Sequence, residues 1–126
     1  MTDDKKTIIM VDDNMTNLAI GMNTLKPYYS LITLNSGARL LKALEKVTAD
    51  LILIDIEMPE MDGFETVAHI KSKNETSNIP IIFLTGKSDD ISERKGYELG
   101  AVDYIKKPFT PTFLLERIEL HLRDKT

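Results

Sequence analysis

The stretch Leu51-Ile52-Leu53-Ile54-Asp55 is a four-residue apolar run that ends abruptly in an acid. Two other runs have the same form: residues 7–11 (TIIMV) precede Asp-Asp-Asn, and residues 79–84 (IPIIFL) precede Thr-Gly. Short, continuous runs rich in Ile and Leu are typical of strands buried on both faces, as in parallel sheets. Two weaker strands are predicted at about residues 30–34 and 102–105.

Helical periods of apolar residues follow each strand, at about residues 18–25, 40–47, 64–70, 90–99 and 113–122. Pro27 ends the first, Asp62 caps the third, Gly100 closes the fourth, and Thr110 with Pro111 opens the fifth. The fourth is thinly apolar, so we expect it to pack lightly and to be able to shift. Strand–helix alternation repeated five times predicts an α/β, doubly wound (βα)5 domain with a five-stranded parallel sheet. The expected order is the flavodoxin-like 2-1-3-4-5, in a three-layer sandwich.

Length and composition restrict the function classes. The 126 residues suit one domain, expected over 1–126 with a core at about 6–122 and flexible ends at 1–5 and 123–126. A net charge of −4 disfavours direct binding to nucleic acid or to an anionic membrane. The absence of cysteine excludes disulfides and thiol chemistry. We see neither a signal peptide nor a membrane span, so we expect a cytoplasmic protein.

Acidic residues end two strands that neighbour each other in the predicted order. Asp12 and Asp13 follow strand 1, and Asp55 follows strand 3. Because the carboxyl ends of parallel strands meet at one edge of a sheet, the three carboxylates should converge in one crevice. Like charges this close repel and need a cation. Oxygen-only ligands, without Cys or a nearby His, point to Mg²⁺.

Such a cluster suits phosphoryl transfer, which needs an in-line nucleophile and positive charge on the phosphoryl oxygens. Asp55 can be the nucleophile and form an acyl phosphate. The metal would hold one phosphoryl oxygen and Lys107 a second. The Thr85 hydroxyl, or a neighbouring N–H, would hold the third.

Four segments in order resemble the receiver (phospho-acceptor) domain of two-component response regulators. The segments are Val11-Asp12-Asp13-Asn14, residues 53–63 (LIDIEMPEMDG), Leu84-Thr85-Gly86 and residues 100–109 (GAVDYIKKPF). The resemblance covers about residues 6–121. It implies that Asp55 accepts phosphate from the phosphohistidine of a sensor histidine kinase or of a histidine phosphotransfer protein.

The resemblance also implies a ligand set for Mg²⁺. Asp13 and Asp55 would bind the ion directly, Asp12 through water, and Glu57 through its main-chain carbonyl. Glu57 and Lys87 could in addition pair across the mouth of the site and slow hydrolysis.

Further roles follow from the same resemblance. Lys107 rather than Lys106 would contact the phosphoryl group, because the family's lysine directly precedes the proline, and its bond to Pro108 would be cis. Thr85 would swing toward the phosphate, and Tyr104 would turn inward. The face formed by helix 4, strand 5 and helix 5 would then signal to a downstream effector domain or protein, with a phosphorylation-dependent homodimer as one form of output.

Two other functions are compatible with these residues. The chain could be a phosphorylation-independent docking module of the same fold, or a Mg²⁺-dependent phosphatase, although such phosphatases place two Asp at alternate positions after strand 1. A switch rather than a metabolic enzyme is expected, limited to self-phosphorylation and slow self-dephosphorylation. Whether it stands alone or belongs to a longer chain is open. His69 and His121 are interpreted as solvated or interface histidines.

Overall fold

Five parallel strands form one sheet in a computed structural model that describes residues 5–86 and 89–123. The strands are β1 (Thr7–Val11), β2 (Ser30–Leu34), β3 (Leu51–Ile54), β4 (Ile81–Thr85) and β5 (Asp103–Lys106). Their order is β2-β1-β3-β4-β5, so the predicted fold class and strand order are confirmed. β4 begins two residues later than predicted, after Pro80, which has no N–H to donate to the ladder.

Five helices alternate with the strands: α1 (Met15–Leu25), α2 (Gly37–Ala43), α3 (Gly63–Lys71), α4 (Asp90–Glu98) and α5 (Pro111–Arg123). α2 ends four residues before the predicted end of its stripe, because the chain tightens there into turns such as Glu45 N–H to the Lys42 carbonyl, at 3.2 Å. None of the helices within residues 5–86 and 89–123 is long and apolar enough to cross a bilayer.

The caps predicted from the sequence are present. Asp62 and Glu65 form a capping box at the start of α3. Gly100 has a φ of 104°, the left-handed conformation expected after a helix. The Thr110 hydroxyl accepts the Phe113 N–H at 3.1 Å and opens α5.

The sheet is covered on both faces, which gives the predicted three layers. One face packs against α1 and α5 through Leu25, Leu114 and Ile118. The other packs against α2 and α3, with Leu40, Phe64, Val67 and Ile70 in the core. Among the described residues of α4, Gly96 alone is buried, in agreement with the light packing predicted for that helix.

The register of the central strands positions the acidic residues. Val11 of β1 lies opposite Ile54 of β3, and the Asp55 N–H donates to the Val11 carbonyl at 3.0 Å. Asp12 and Asp55 therefore leave the sheet side by side at its carboxyl edge.

The loop after β3 is fixed against α3 by a close backbone approach at Gly63. Its N–H donates to the Ile56 carbonyl at 2.8 Å. A Cβ at this position would lie 2.4 Å from the Asp55 carbonyl oxygen and 2.8 Å from the Ile56 Cα. Only glycine fits there without a shift of the backbone that carries Asp55.

Parts of two expectations lie outside the described residues: most of the flexible ends proposed at 1–5 and 123–126, and the pairing of Lys87 with Glu57. Of those ends, Lys5 is exposed and Arg123 is the last residue of α5.

Candidate functional site

Three carboxylates meet at the carboxyl edge of the sheet. One side-chain oxygen each of Asp12, Asp13 and Asp55 lies within 4.8 Å of the others. Asp12 and Asp55 are buried, with 1% and 7% of their surface exposed, whereas Asp13 is exposed. The sequence predicted this convergence, and the register of β1 and β3 produces it.

Asp12 is held in place by three donors. Its Oδ1 accepts the Asn14 N–H at 2.9 Å, in the turn that leads into α1. Its Oδ2 accepts both the Lys107 ammonium at 2.9 Å and the Asn17 side-chain amide at 3.2 Å. A buried carboxylate with this many donors is held in one orientation.

Lys107 bridges the two buried carboxylates. Its Nζ lies 2.9 Å from Asp12 Oδ2 and 3.3 Å from Asp55 Oδ2. Burial lowers the pKa of Lys107, but the hydrogen bond to Asp12 and the charge of Asp55 outweigh it, so the pKa is raised and the ammonium stays charged. The neighbouring Lys106 is directed elsewhere: its Nζ lies 3.7 Å from Glu93 of α4.

The segment around Lys107 is anchored to the sheet. The Lys107 N–H donates to the Thr85 carbonyl at 2.8 Å, and the bond from Lys107 to Pro108 is cis. The hydrogen bond to the end of β4 therefore fixes the backbone position of Lys107.

Asp55 is held more loosely than Asp12. Its Oδ1 accepts the Glu57 N–H, and its Oδ2 accepts the Lys107 ammonium, both at 3.3 Å. These distances are at the weak end of the hydrogen-bonding range. The pKa of Asp55 is raised, chiefly by burial and further by the charge of Asp12, against the lowering effect of Lys107. Its carboxylate keeps lone pairs that are not committed to strong bonds.

The other two predicted side chains lie at the ends of β4 and within β5. Thr85 is fully buried at the end of β4, opposite Lys106 of β5. Tyr104 is already turned inward, with 7% of its surface exposed and its ring 6.3 Å from that of Phe83. Burial, with the nearby charges of Asp89, Glu93 and Glu57, raises the pKa of Tyr104 to about 12, so its hydroxyl stays protonated.

Two groups of residues were missed by sequence reasoning. Asn17 of α1, five residues after Asp12, donates its side-chain amide to Asp12. It belongs to none of the sequence motifs described above. His121, interpreted as a solvated or interface histidine, instead lies 2.9 Å from the buried Asp103, which Arg117 also contacts at 2.6 Å. This pair of contacts corrects the interpretation of His121.

The donor set fits a hard divalent cation. The three convergent carboxylates supply only oxygen ligands, and Asp13 reaches solvent, which leaves room for the waters that Mg²⁺ retains. One lysine does not neutralise three acids, so a cation would relieve the remaining repulsion.

Comparison with known proteins identifies relatives of this chain. The profile of the family described as "Response regulator receiver domain" matches residues 8–119. A Vibrio cholerae protein named "Probable cyclic di-GMP phosphodiesterase" is 44% identical over 119 residues, which cover 94% of this chain and 27% of that protein. A Formosa agariphila protein named "Histidine kinase P4" is 38% identical over 122 residues, covering 97% of this chain and 9% of that protein.

Solved structures show the same architecture. The crystal structure of a putative response regulator from Chloroflexus aurantiacus has a TM-score of 0.90 and 29% identity, and the alignment covers 95% of this chain and 99% of that one. The chain spans about a quarter or less of the two curated relatives above. Because the family profile matches nearly its whole length, the chain belongs to the family of response regulator receiver domains.

Proposed function

We propose that this chain accepts a phosphoryl group on Asp55, with Mg²⁺ bound by the adjacent acids. The observation that carries the proposal is the position of Lys107, whose ammonium lies 3.3 Å from Asp55 Oδ2 within a cluster of three carboxylates. A charged donor beside a loosely held, buried carboxylate is the arrangement that phosphoryl transfer to that carboxylate needs.

The donor would be a phosphohistidine, on a sensor histidine kinase or a histidine phosphotransfer protein. A carboxylate oxygen of Asp55 forms a bond to phosphorus as the nitrogen–phosphorus bond breaks. The bonding pair stays on the imidazole nitrogen, which takes up a proton, and Asp55 becomes an acyl phosphate.

The side chains around Asp55 have separate parts in this proposal. Asp13 and Asp55 would bind the metal directly, Asp12 through water and Glu57 through its main-chain carbonyl; the bound ion would supply positive charge to the phosphoryl oxygens. Lys107 would hold a second phosphoryl oxygen, and the Thr85 hydroxyl a third. Asp12, fixed by three donors, orients Lys107.

Phosphorylation would act as a switch on the face formed by α4, β5 and α5. α4 is the most lightly packed candidate to move, since Gly96 alone is buried among its described residues. Thr85 and Tyr104 would connect the site to this face. Phosphate would favour a second arrangement of α4 through its contacts with Thr85 and Lys107.

The wider context is part of the same proposal. The chain would be one receiver domain over 1–126, in the cytoplasm, coupled to a downstream effector domain or protein and able to dimerise when phosphorylated. It would catalyse only its own phosphorylation and slow dephosphorylation. The hydrolase and kinase named among its relatives are far longer than this chain, so those names support a modular context and not an activity of this domain.

The test is phosphorylation with a labelled acyl phosphate and Mg²⁺, followed on intact protein by mass spectrometry. We expect wild type to gain one hydroxylamine-sensitive phosphoryl group and Asp55→Asn to gain none. Asp103→Asn is the matched control, because it changes another buried acid outside the cluster. Label on Asp55→Asn equal to that on wild type would disprove the assignment, as would uptake that is unaffected by removal of Mg²⁺.

The two alternatives predict different results. A phosphorylation-independent docking module would take up no label in any variant. A phosphatase would turn over a small phosphate ester many times. The family match favours neither.

A further inference from the structure

The side chain of Asn17 shares an acceptor atom with Lys107. Its Nδ2 lies 3.2 Å from Asp12 Oδ2, and the Lys107 Nζ lies 2.9 Å from the same oxygen. The amide and the ammonium are thus two donors to one carboxylate oxygen, one from α1 and the other from the segment after β5.

Few other groups can donate a hydrogen bond to Asp12 Oδ2. It is 1% exposed, so bulk water has little access to an oxygen that loses a donor, and its Oδ1 already accepts the Asn14 N–H. A cavity of about 380 Å³ beside this pair is lined by Met10, Asn17, Ile20, Lys107, Pro108 and Phe109. Among the described residues, Asn17 and Lys107 are the only polar side chains that line it, so no other side chain of the cavity donates to Asp12 Oδ2.

The position of Asn17 is itself fixed. Its main-chain N–H donates to the Asn14 Oδ1 at 3.0 Å, the capping bond that starts α1. Because the first turn of the helix is held in this way, the amide approaches Asp12 from a defined direction and loses little freedom on binding it.

Lys107, by contrast, is shared. Its ammonium also lies 3.3 Å from Asp55, and a phosphoryl group on Asp55 would bring negative oxygens that compete with Asp12 for it. If Lys107 moves toward those oxygens, Asp12 Oδ2 loses its charged donor while it remains buried. An unsatisfied buried acceptor is costly.

We infer that Asn17 is a positioning residue for phosphorylation: it keeps Asp12 Oδ2 hydrogen-bonded while Lys107 is drawn to the phosphoryl group. This inference rests on the proposed function. Asn17 contacts neither the phosphoryl group nor Asp55 in this role, and it acts through Asp12 and Lys107.

The test compares Asn17→Ala with Asn23→Ala, which makes the same change on an exposed position of α1. We expect Asn17→Ala to slow phosphorylation by an acyl phosphate about tenfold at saturating Mg²⁺, the size of effect expected for one lost hydrogen bond to a buried acceptor. The Mg²⁺ Kd of the unphosphorylated protein, measured by calorimetry, should change less than about threefold, because Lys107 still serves Asp12 in that state. Asn23→Ala should match wild type in both measurements.

A second measurement separates this role from a merely structural one. In a Lys107→Ala background, Asn17→Ala should no longer slow phosphorylation, since no donor leaves Asp12 during the reaction, yet it should lower Tm more than in wild type. The inference is overturned if Asn17→Ala lowers Tm alone, or if its rate effect persists without Lys107. The proposed function fails separately, if wild type itself takes up no label on Asp55.

Discussion

Asp55 and Asp103 are two buried carboxylates, each beside a cation, whose pKa values are shifted in opposite directions. Asp55 follows β3 at the carboxyl edge of the sheet. Asp103 is the first residue of β5 and lies at the opposite, amino edge. Their exposed fractions are nearly equal, 7% and 5%. Burial alone therefore does not distinguish them.

The donors around each carboxylate make the difference. Asp103 accepts the Arg117 Nε–H at 2.6 Å and the Tyr104 N–H at 2.8 Å, and His121 Nε2 lies 2.9 Å away. Burial would raise the pKa of Asp103, but the hydrogen bonds from Arg117, His121 and Tyr104 outweigh it and lower the pKa.

Among the described residues, the Asp55 carboxylate accepts only two hydrogen bonds, each at 3.3 Å, and a second acid lies beside it. Its pKa is raised, above all by burial. A fully bonded carboxylate joins a strand to a helix, whereas an under-bonded one is available to a metal or to phosphorus. The contrast separates a structural acid from the acid proposed to accept the phosphoryl group.

Removing the Lys107 ammonium should have the largest effect, on the rate at which Asp55 is phosphorylated. We expect Lys107→Ala to slow phosphorylation of Asp55 by about 10²–10³-fold, because a charged donor to the developing phosphoryl charge is lost. The rate is measured with an acyl phosphate at saturating Mg²⁺. Lys106→Ala, which removes the neighbouring lysine that faces Glu93, should leave the rate within about twofold of wild type. Equal effects of the two substitutions would contradict the assignment of Lys107.

Removing the structural acid should affect stability instead. Asp103→Ala should lower the free energy of unfolding by about 2 kcal/mol, because Arg117 and His121 lose their partner. The value lies below the roughly 3–5 kcal/mol typical of a broken buried pair, since the Arg117 side chain is 35% exposed. Urea denaturation measures the change, and phosphorylation of the folded variant should proceed at the wild-type rate. An unchanged denaturation midpoint would show that these contacts contribute nothing.

Neutralising Asp55 should raise the free energy of unfolding, the opposite of the change expected for Asp103→Ala. Asp55→Asn should raise the free energy of unfolding at pH 7 without metal by about 1 kcal/mol, because one of two crowded, buried charges is removed. Mg²⁺ should raise the Tm of wild type by several degrees and that of Asp55→Asn by less. A loss of stability on this substitution would mean that Asp55 is already well paired.

The smallest effect is on the pH dependence of stability. The pKa of Asp55 is raised on folding, so its ionised form destabilises the protein, and the advantage of Asp55→Asn should shrink as pH falls through that raised pKa. The pKa of Asp103 is lowered, so its stabilising contribution persists down to about pH 4 and is lost below that, as pH falls through the lowered pKa. Denaturation of wild type, Asp55→Asn and Asp103→Asn from pH 7 to pH 3 compares the two. The comparison fails if both differences fade over the same pH range.

Much of the fold and the convergence of the three carboxylates could be predicted from the sequence. Continuous apolar runs specify buried parallel strands, and parallel strands bring their last residues to one edge, so Asp12, Asp13 and Asp55 had to meet. The caps at Asp62, Gly100 and Thr110 depend on local sequence and were found for that reason.

Contacts between side chains of different elements could not be predicted in this way. Asn17 reaches Asp12 only because of the angle at which α1 leaves β1, and no spacing rule gives that angle. Asp103 meets residues 14 and 18 positions further along the chain, so its partners depend on how α5 docks on β5. The sequence offered His121 no visible partner for the same reason.

The absence of a side chain at position 63 has a consequence for how this domain tolerates change. Since any Cβ there would meet the backbone of residues 55 and 56, a substitution such as Gly63→Ala would displace Asp55, the proposed acceptor, without changing its carboxyl group. In a saturation mutagenesis survey, a residue with no functional group would therefore score nearly as intolerant as the acceptor, and an observer guided by such scores alone would mistake a steric requirement for a reactive one.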